Sequence, residues 1–310
     1  MPAMFRRDFL MAAWAAASLP VLATPTRMAR LVIVGGAEDR LQDRVILRKF
    51  LEYSGGPRAR IRLITAASGV PDAVAESYRK AFGELGAQDF EVLPLSDRQS
   101  AFDPVVQEDI LRADGLFMSG GDQSRLMAAI WETPVLGALH QAFHFRGCCI
   151  GGTSAGAAVM SRHMISQGRA LLRPRKEAID TDIGLGLLPS AVVDQHFSER
   201  RRLARLLSAL AERPDLLGVG IDEDTALVVE RGQAIEVIGN GVVTLVDPSQ
   251  VRTNVDSLEA DEQIEMLGLQ LHTLPAGHRY AVHGSATPRH WPAGLLQALQ
   301  RLVKPGPVRW

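Results

Sequence analysis

The sequence predicts an α/β protein: a mostly parallel sheet with helices on both faces, extended toward the C-terminus by antiparallel strands. Two observations lead there. Short β-rich runs alternate with helix-length amphipathic stretches over the first half of the chain, whereas from Leu217 onward the runs follow one another with only turn residues between them. The first run, residues 30–34, ends in Gly35-Gly36, and the stretch 41–53 behind it sets Leu41, Val45, Ile46 and Phe50 on one helical face. Residues 61–65 read as the next strand, Pro71 opens a helix at its first position, and Gly86 stops it. Runs at 90–93, 114–119 and 148–150 continue the series, with helical stretches around 105–111 and 126–145. Helices of this length between strands imply right-handed crossovers. The late runs at 219–221, 227–230, 234–238 and 242–246, with Asn240-Gly241 as a turn, form the antiparallel extension, and residues 291–302 are expected to be a helix.

The chain has 310 residues, 46% of them apolar and 22% charged, so it can bury a full core without disulfide or metal staples. Thirty-four basic residues nearly balance thirty-five acidic ones, which leaves no global field to attract nucleic acid or anionic lipid. Its two cysteines, Cys148 and Cys149, are adjacent and read as buried strand residues. No repeat, low-complexity tract or linker divides residues 24–310, so they are expected to form a single domain.

The first 23 residues read as an address. Arg6 and Arg7 precede an uncharged stretch, residues 11–23, that ends in Val21-Leu22-Ala23. This is the pattern of a twin-arginine export signal cut after Ala23, so the mature chain is expected in a periplasm or outside the cell, meeting the membrane only in transit. A membrane span needs about 20 apolar residues; this run is shorter and broken by Pro20.

Ligands of parallel sheets bind beyond the carboxyl ends of the strands. Two loops there are unusual: Gly120-Gly121-Asp122-Gln123, and Gly151-Gly152-Thr153-Ser154-Ala155-Gly156. The second contains GxSxG between a strand and a helix, the setting in which a sharp turn lifts a serine hydroxyl out of the sheet. A phosphate loop is the rival, but its lysine is missing and the glycine spacing differs from a dinucleotide fingerprint. A serine needs a base, and of eight histidines His196 is the best placed, because it follows the apolar run 191–193 at a strand end expected on the same sheet edge. His140, His144 and His163 fall in helical stretches, and His272, His278, His283 and His290 lie far toward the C-terminus. The base wants a carboxylate; Asp222, Glu223 and Asp224 all qualify, and spacing does not choose among them. The order Ser154, His196, acid differs from the Ser, acid, His order of α/β-hydrolases, so the scaffold is another one. An oxyanion would be held by the Ala155 amide together with that of Gly121 or Asp122.

Gly120-Gly121-Asp122-Gln123, Gly151 to Gly156, Asp194-Gln195-His196-Phe197 and Gly220-Ile221-Asp222-Glu223-Asp224-Thr225-Ala226, in this order, resemble the cyanophycinases. The resemblance runs from about Leu31 to Gly241. It implies a flavodoxin-like core similar to class I glutamine amidotransferases, in which a cysteine stands where this chain has Ser154. It also implies a Ser154, His196, Glu223 triad, an acyl-enzyme, and a substrate pocket lined by Gln123, Asp194, Gln195, Arg200, Arg202 and Arg205. The implied substrate is cyanophycin, a polyaspartate with arginine on each β-carboxylate, or another β-aspartyl peptide, and the products are β-aspartyl-arginine dipeptides. On this reading Arg202 and Arg205, three apart on a helix, grip a substrate carboxylate and Asp194 meets a guanidinium. A dipeptidase for short aspartyl peptides and a non-catalytic binding protein are the competing functions. No cofactor is expected and no metal, since HExxH and CxxC spacings are absent. A homodimer is allowed by the sequence but not required.

Overall fold

The computed structural model describes residues 28–168, 171–283 and 291–306; the expected export signal, residues 1–23, lies outside the described residues. The chain runs through β1 (Arg30–Val34), α1 (Val45–Ser54), β2 (Arg60–Ile64), α2 (Pro71–Glu84), β3 (Asp89–Val92), α3 (Pro104–Arg112), β4 (Gly115–Met118), α4 (Gln123–Ile130), α5 (Pro134–Arg146) and β5 (Cys149–Thr153). One turn of helix, α6 (Ala155–Ala158), leads to β6 (His163–Gln167), β7 (Asp180–Ile183), β8 (Ala191–Gln195) and α7 (Leu203–Glu212). Then come β9 (Leu217–Ile221), β10 (Thr225–Glu230), β11 (Ala234–Gly239), β12 (Val242–Asp247), β13 (Arg252–Thr253), β14 (Met266–Leu267), β15 (Gln270–Pro275), β16 (His278–Ala281) and α8 (Ala293–Val303).

The large sheet has the order β16-β11-β10-β1-β5-β4-β2-β3. Its five strands from β1 to β3 are parallel, and β10, β11 and β16 continue it antiparallel. Successive residues of a strand point to opposite faces, and both faces here are apolar. Leu31 and Ile33 of β1 belong to the core cluster that includes buried residues of α3, α4, α5 and α8, while Val32 and Val34 belong to the one that includes α1 and α2. This two-sided burial is why the parallel runs read as continuous apolar stretches. The fold is consistent with a class I glutamine amidotransferase-like core.

Several elements differ from the sequence reading. Helix α1 starts at Val45, not Leu41, and Leu41 is 75% exposed. The Asp39 carboxylate accepts from the amides of Leu41, Gln42 and Arg44 and winds those residues into a turn instead. The stretch 126–145 is two helices, because Pro134 cannot continue a helix and holds Thr133 extended. His163 opens a strand, and the helix after Ser154 is only four residues long.

The late strands do not form one extension. β9 and β12 join β15 and β8 in a second sheet of order β15-β12-β9-β8, where β8 and β9 are parallel. His196 therefore approaches from a different sheet than Ser154. Apolar patterning identifies the buried residues of a strand but not the strand they pair with: Val192 and Val246 pack against α7, while Val193, Val219 and Leu245 belong to the main core.

Candidate active site

Strands β1, β5 and β4 are neighbours and parallel, so the loops at their carboxyl ends, beginning at Gly35, Ser154 and Ser119, meet at one edge. Ser154 stands between β5 and α6 with φ 52° and ψ −109°, a conformation a residue with a side chain seldom adopts. Its amide donates to the Val34 carbonyl at 3.0 Å, anchoring the turn to β1. The turn closes so tightly that a Cβ on Gly152 would lie 2.4 Å from the Gly156 carbonyl oxygen. This explains the glycines of the motif.

His196 follows β8, also with a positive φ of 49°, and its amide donates to the Gly35 carbonyl at 2.7 Å. Its Nε2 lies 2.9 Å from Ser154 Oγ, and its Nδ1 lies 2.5 Å from Glu223 Oε1. A neutral imidazole with its proton on Nδ1 donates to Glu223 and turns the Nε2 lone pair toward the serine hydroxyl. Such a chain can take a proton from a nucleophile and stabilise the resulting imidazolium. The ring is nearly buried and rests on Gly36, where a Cβ would sit 2.3 Å from His196 Cε1.

The three consecutive acids separate in space. Asp222 accepts from the amides of Ser198 and Val242, both at 3.1 Å. Asp224 accepts from the Asp39 amide at 2.9 Å and from the Asn240 side chain at 2.5 Å. Glu223 is the one that reaches the imidazole. Among the expected oxyanion donors, the Asp122 amide is already engaged, donating to the Ala67 carbonyl at 2.9 Å, while the Asp122 carboxylate caps α4 through the amides of Ser124 and Arg125. This removes Asp122 and leaves the Ala155 and Gly121 amides as candidates. Gly120 lies against the serine, since a Cβ there would be 3.4 Å from Ser154 Cβ.

The expected pocket residues are mostly turned on one another. Asp194 is fully buried, and its carboxylate faces the guanidinium of Arg205, with Nε to Oδ2 at 3.0 Å, and that of Arg202 at 3.3 Å. Arg205 also donates to the Gly168 carbonyl at 2.8 Å. Arg202 donates to the Gln195 carbonyl at 2.5 Å and to its side-chain oxygen. Burial lowers the Arg202 guanidinium to about 10, with Asp194 acting in the opposite sense. Asp194, expected to meet a substrate guanidinium, and Arg202 and Arg205, expected to grip a substrate carboxylate, are paired with one another in this structure. Gln123 donates its amide to the carbonyls of Ile165 and Ser166 at 3.1 and 2.7 Å, tying α4 to β6. Arg200 is exposed.

Sequence reasoning missed the loop after β1. Gly36 seats the imidazole, and Glu38, 5% exposed, accepts from the hydroxyls of Thr153 and Tyr78. The same rule that singled out the loops after β4 and β5 points to this one. Among the described residues, no group of three or more His, Cys, Asp or Glu side chains is placed to hold a metal ion.

Residues 31–237 match Peptidase family S51. The chain is 41% identical over 251 residues to a cyanophycinase of Geminocystis herdmanii, covering 81% of this chain and 92% of that one. To a cyanophycinase of Trichormus variabilis it is 40% identical over 254 residues, covering 82% and 85% respectively. A solved peptidase structure from an acI-B1 Actinobacterium superposes with a TM-score of 0.61 at 23% identity, covering 83% of this chain and 98% of that one, a likeness of fold.

Proposed function

Because the chain belongs to Peptidase family S51 and is a serine-type peptidase, we propose that it hydrolyses cyanophycin with Ser154 as nucleophile, His196 as base and Glu223 as the acid behind it. The observation that carries this reading is the unbroken hydrogen-bonded series from Ser154 Oγ through the imidazole to Glu223, in a chain about two-fifths identical to cyanophycinases.

In this mechanism His196 Nε2 takes the hydroxyl proton as Ser154 Oγ bonds to the carbonyl carbon of an aspartyl amide. The oxyanion is met by the amides of Ala155 and Gly121. Collapse breaks the C–N bond, the imidazolium gives its proton to the leaving nitrogen, and an acyl-serine remains. Water, deprotonated by His196, then releases the acid and restores the serine. Repeated along the polyaspartate backbone, the cycle yields β-aspartyl-arginine dipeptides. On this reading the Arg6-Arg7 signal carries the chain out of the cytoplasm, so the substrate is met in a periplasm or outside the cell.

The test is incubation of the chain from Thr24 onward with cyanophycin, identifying products by mass, beside Ser154→Ala. A β-aspartyl-arginine product from the wild type and none from the variant is expected. Turnover by Ser154→Ala within tenfold of wild type sinks the nucleophile assignment, and free dipeptides cleaved in preference to polymer sink the substrate.

A further inference from the structure

Glu38 is a buried carboxylate outside the Ser154, His196, Glu223 series. The Thr153 hydroxyl donates to its Oε2 at 2.5 Å, and the Tyr78 hydroxyl, from α2, donates to its Oε1. Arg40 Nε lies 3.9 Å from the same Oε1, with its guanidinium 5.1 Å from the centre of the Tyr78 ring. A carboxylate is expensive to bury unless its charge and lone pairs are met. Here two hydroxyls and a guanidinium meet them, one residue away from the strained turn at Ser154.

The loop that carries Glu38 touches every part of the site. The Gly35 carbonyl accepts from the His196 amide at 2.7 Å, and Gly36 lies against the imidazole. The Gly36 carbonyl accepts from the Asp224 amide at 2.8 Å, and the Asp39 amide donates to Asp224 Oδ1 at 2.9 Å, which secures the turn bearing Glu223. Contact with the nucleophile's side of the site passes through Glu38 and Thr153. Residues 35–39 thus reach the base, the acid's turn and the nucleophile's strand while supplying no reacting atom.

We propose that Glu38 is a positioning residue: by holding the Thr153 hydroxyl it fixes the Ser154 turn against the loop that seats His196 and so sets the Oγ to Nε2 approach. The inference rests on the assignment of Ser154 and His196 made above. A carboxylate suits the role because it accepts from two hydroxyls at once, each oxygen holding one.

The experiment compares Thr153→Val, Thr153→Ser and Glu38→Gln with the wild type. It measures kcat and KM on cyanophycin, the rate at which a fluorophosphonate labels the serine, and melting temperature. Thr153→Val and Glu38→Gln are expected to lose about tenfold to hundredfold in both kcat and labelling rate, the scale of a small misplacement of reacting groups. KM should stay within about twofold, melting should stay near wild type, and Thr153→Ser should restore both rates. Wild-type kcat and labelling in Thr153→Val overturn the proposal. So does a loss that merely follows the fraction unfolded and is not rescued by serine. Thr153→Val decides the matter if Glu38→Gln does not fold. Ser154→Ala separates the two levels: activity in that variant sinks the nucleophile assignment, whereas an inactive Ser154→Ala beside fully active Thr153→Val and Glu38→Gln sinks the role of Glu38 alone.

Discussion

At the turn after β9, Asp222 ties the amides of Ser198 and Val242 together, Asp224 ties Asp39 to Asn240, and Glu223 turns to the imidazole. Three adjacent carboxylates therefore answer differently to loss of charge. Glu223→Gln keeps the shape but removes the anion that stabilises an imidazolium, and the analogous change in a serine protease triad costs about four orders of magnitude in kcat. A comparable fall with unchanged melting is expected here, measured as kcat beside a thermal scan. Asp222→Asn and Asp224→Asn weaken charge-assisted bonds to backbone and should lower the melting temperature first; if either costs more kcat than Glu223→Gln, the acid is misassigned. At this scale the turn around Ser154 was legible, because its requirement for small residues is local and written in consecutive letters. Spacing did not choose among the acids, since the choice depends on which way a turn points each side chain; Glu223 came from the resemblance alone. Glu38 was equally hidden, its partners Thr153 and Tyr78 lying 115 and 40 residues away.

Helix α7 is amphipathic in the ordinary sense, with Leu206, Ala209 and Leu210 packed on Val192 and Val246 of the second sheet, but it also buries Arg205 against Asp194 of β8. Removing one partner of a buried ion pair costs about 3–5 kcal/mol where the other charge is left uncompensated; Arg202 stays beside Asp194 here, so the loss expected is smaller, about 2–3 kcal/mol. Arg205→Ala is expected to lower the free energy of unfolding by about that amount in a denaturant titration, with KM unchanged in the molecules that remain folded. Arg200→Ala, at an exposed position, should leave stability alone. An unchanged denaturation midpoint together with a raised KM in Arg205→Ala would return that arginine to substrate binding. The spacing of Arg202 and Arg205 correctly implied one shared direction, yet not that the chain's own Asp194 occupies it. Elements were read well where the signal is local, as at Pro71 and Gly86, which bound α2. They were read poorly where pairing decides: β8 and β9 lie in a second sheet because of partners distant in sequence, and only Pro134 reveals that α4 and α5 are separate.

Across the whole molecule, a histidine whose protonation weighs on folding, His144, lies apart from the residues placed for chemistry. Ser154 follows the carboxyl end of β5, whereas His144, in the last turn of α5, lies near its amino end, roughly 15 Å away along five residues of strand. The His144 Nε2 is buried with no hydrogen-bond partner among the described residues, and burial, helped by Arg231 and His140, lowers its pKa to about 4. An unfolded histidine takes its proton near 6.5. Between those values the unfolded chain binds more protons than the folded one, so stability must fall as pH drops from 6.5 toward 4. Burial lowers His272 as well and adds to the same slope. Asp39 acts elsewhere: backbone amides of Arg44, Gln42 and Leu41 hold it at about 2, so its contribution is lost only below the ordinary carboxylate value of 3.8. Urea titrations of the wild type and His144→Gln at intervals from pH 7 to 4.5 therefore isolate one histidine. The variant is expected to have a shallower decline, whatever its absolute stability, and a pH–rate profile that overlays the wild type's, because the groups placed for turnover sit at the other end of β5. Parallel stability curves would show that His144 titrates alike in the folded and unfolded chain, and a displaced rate profile would show that the two ends of the strand are coupled.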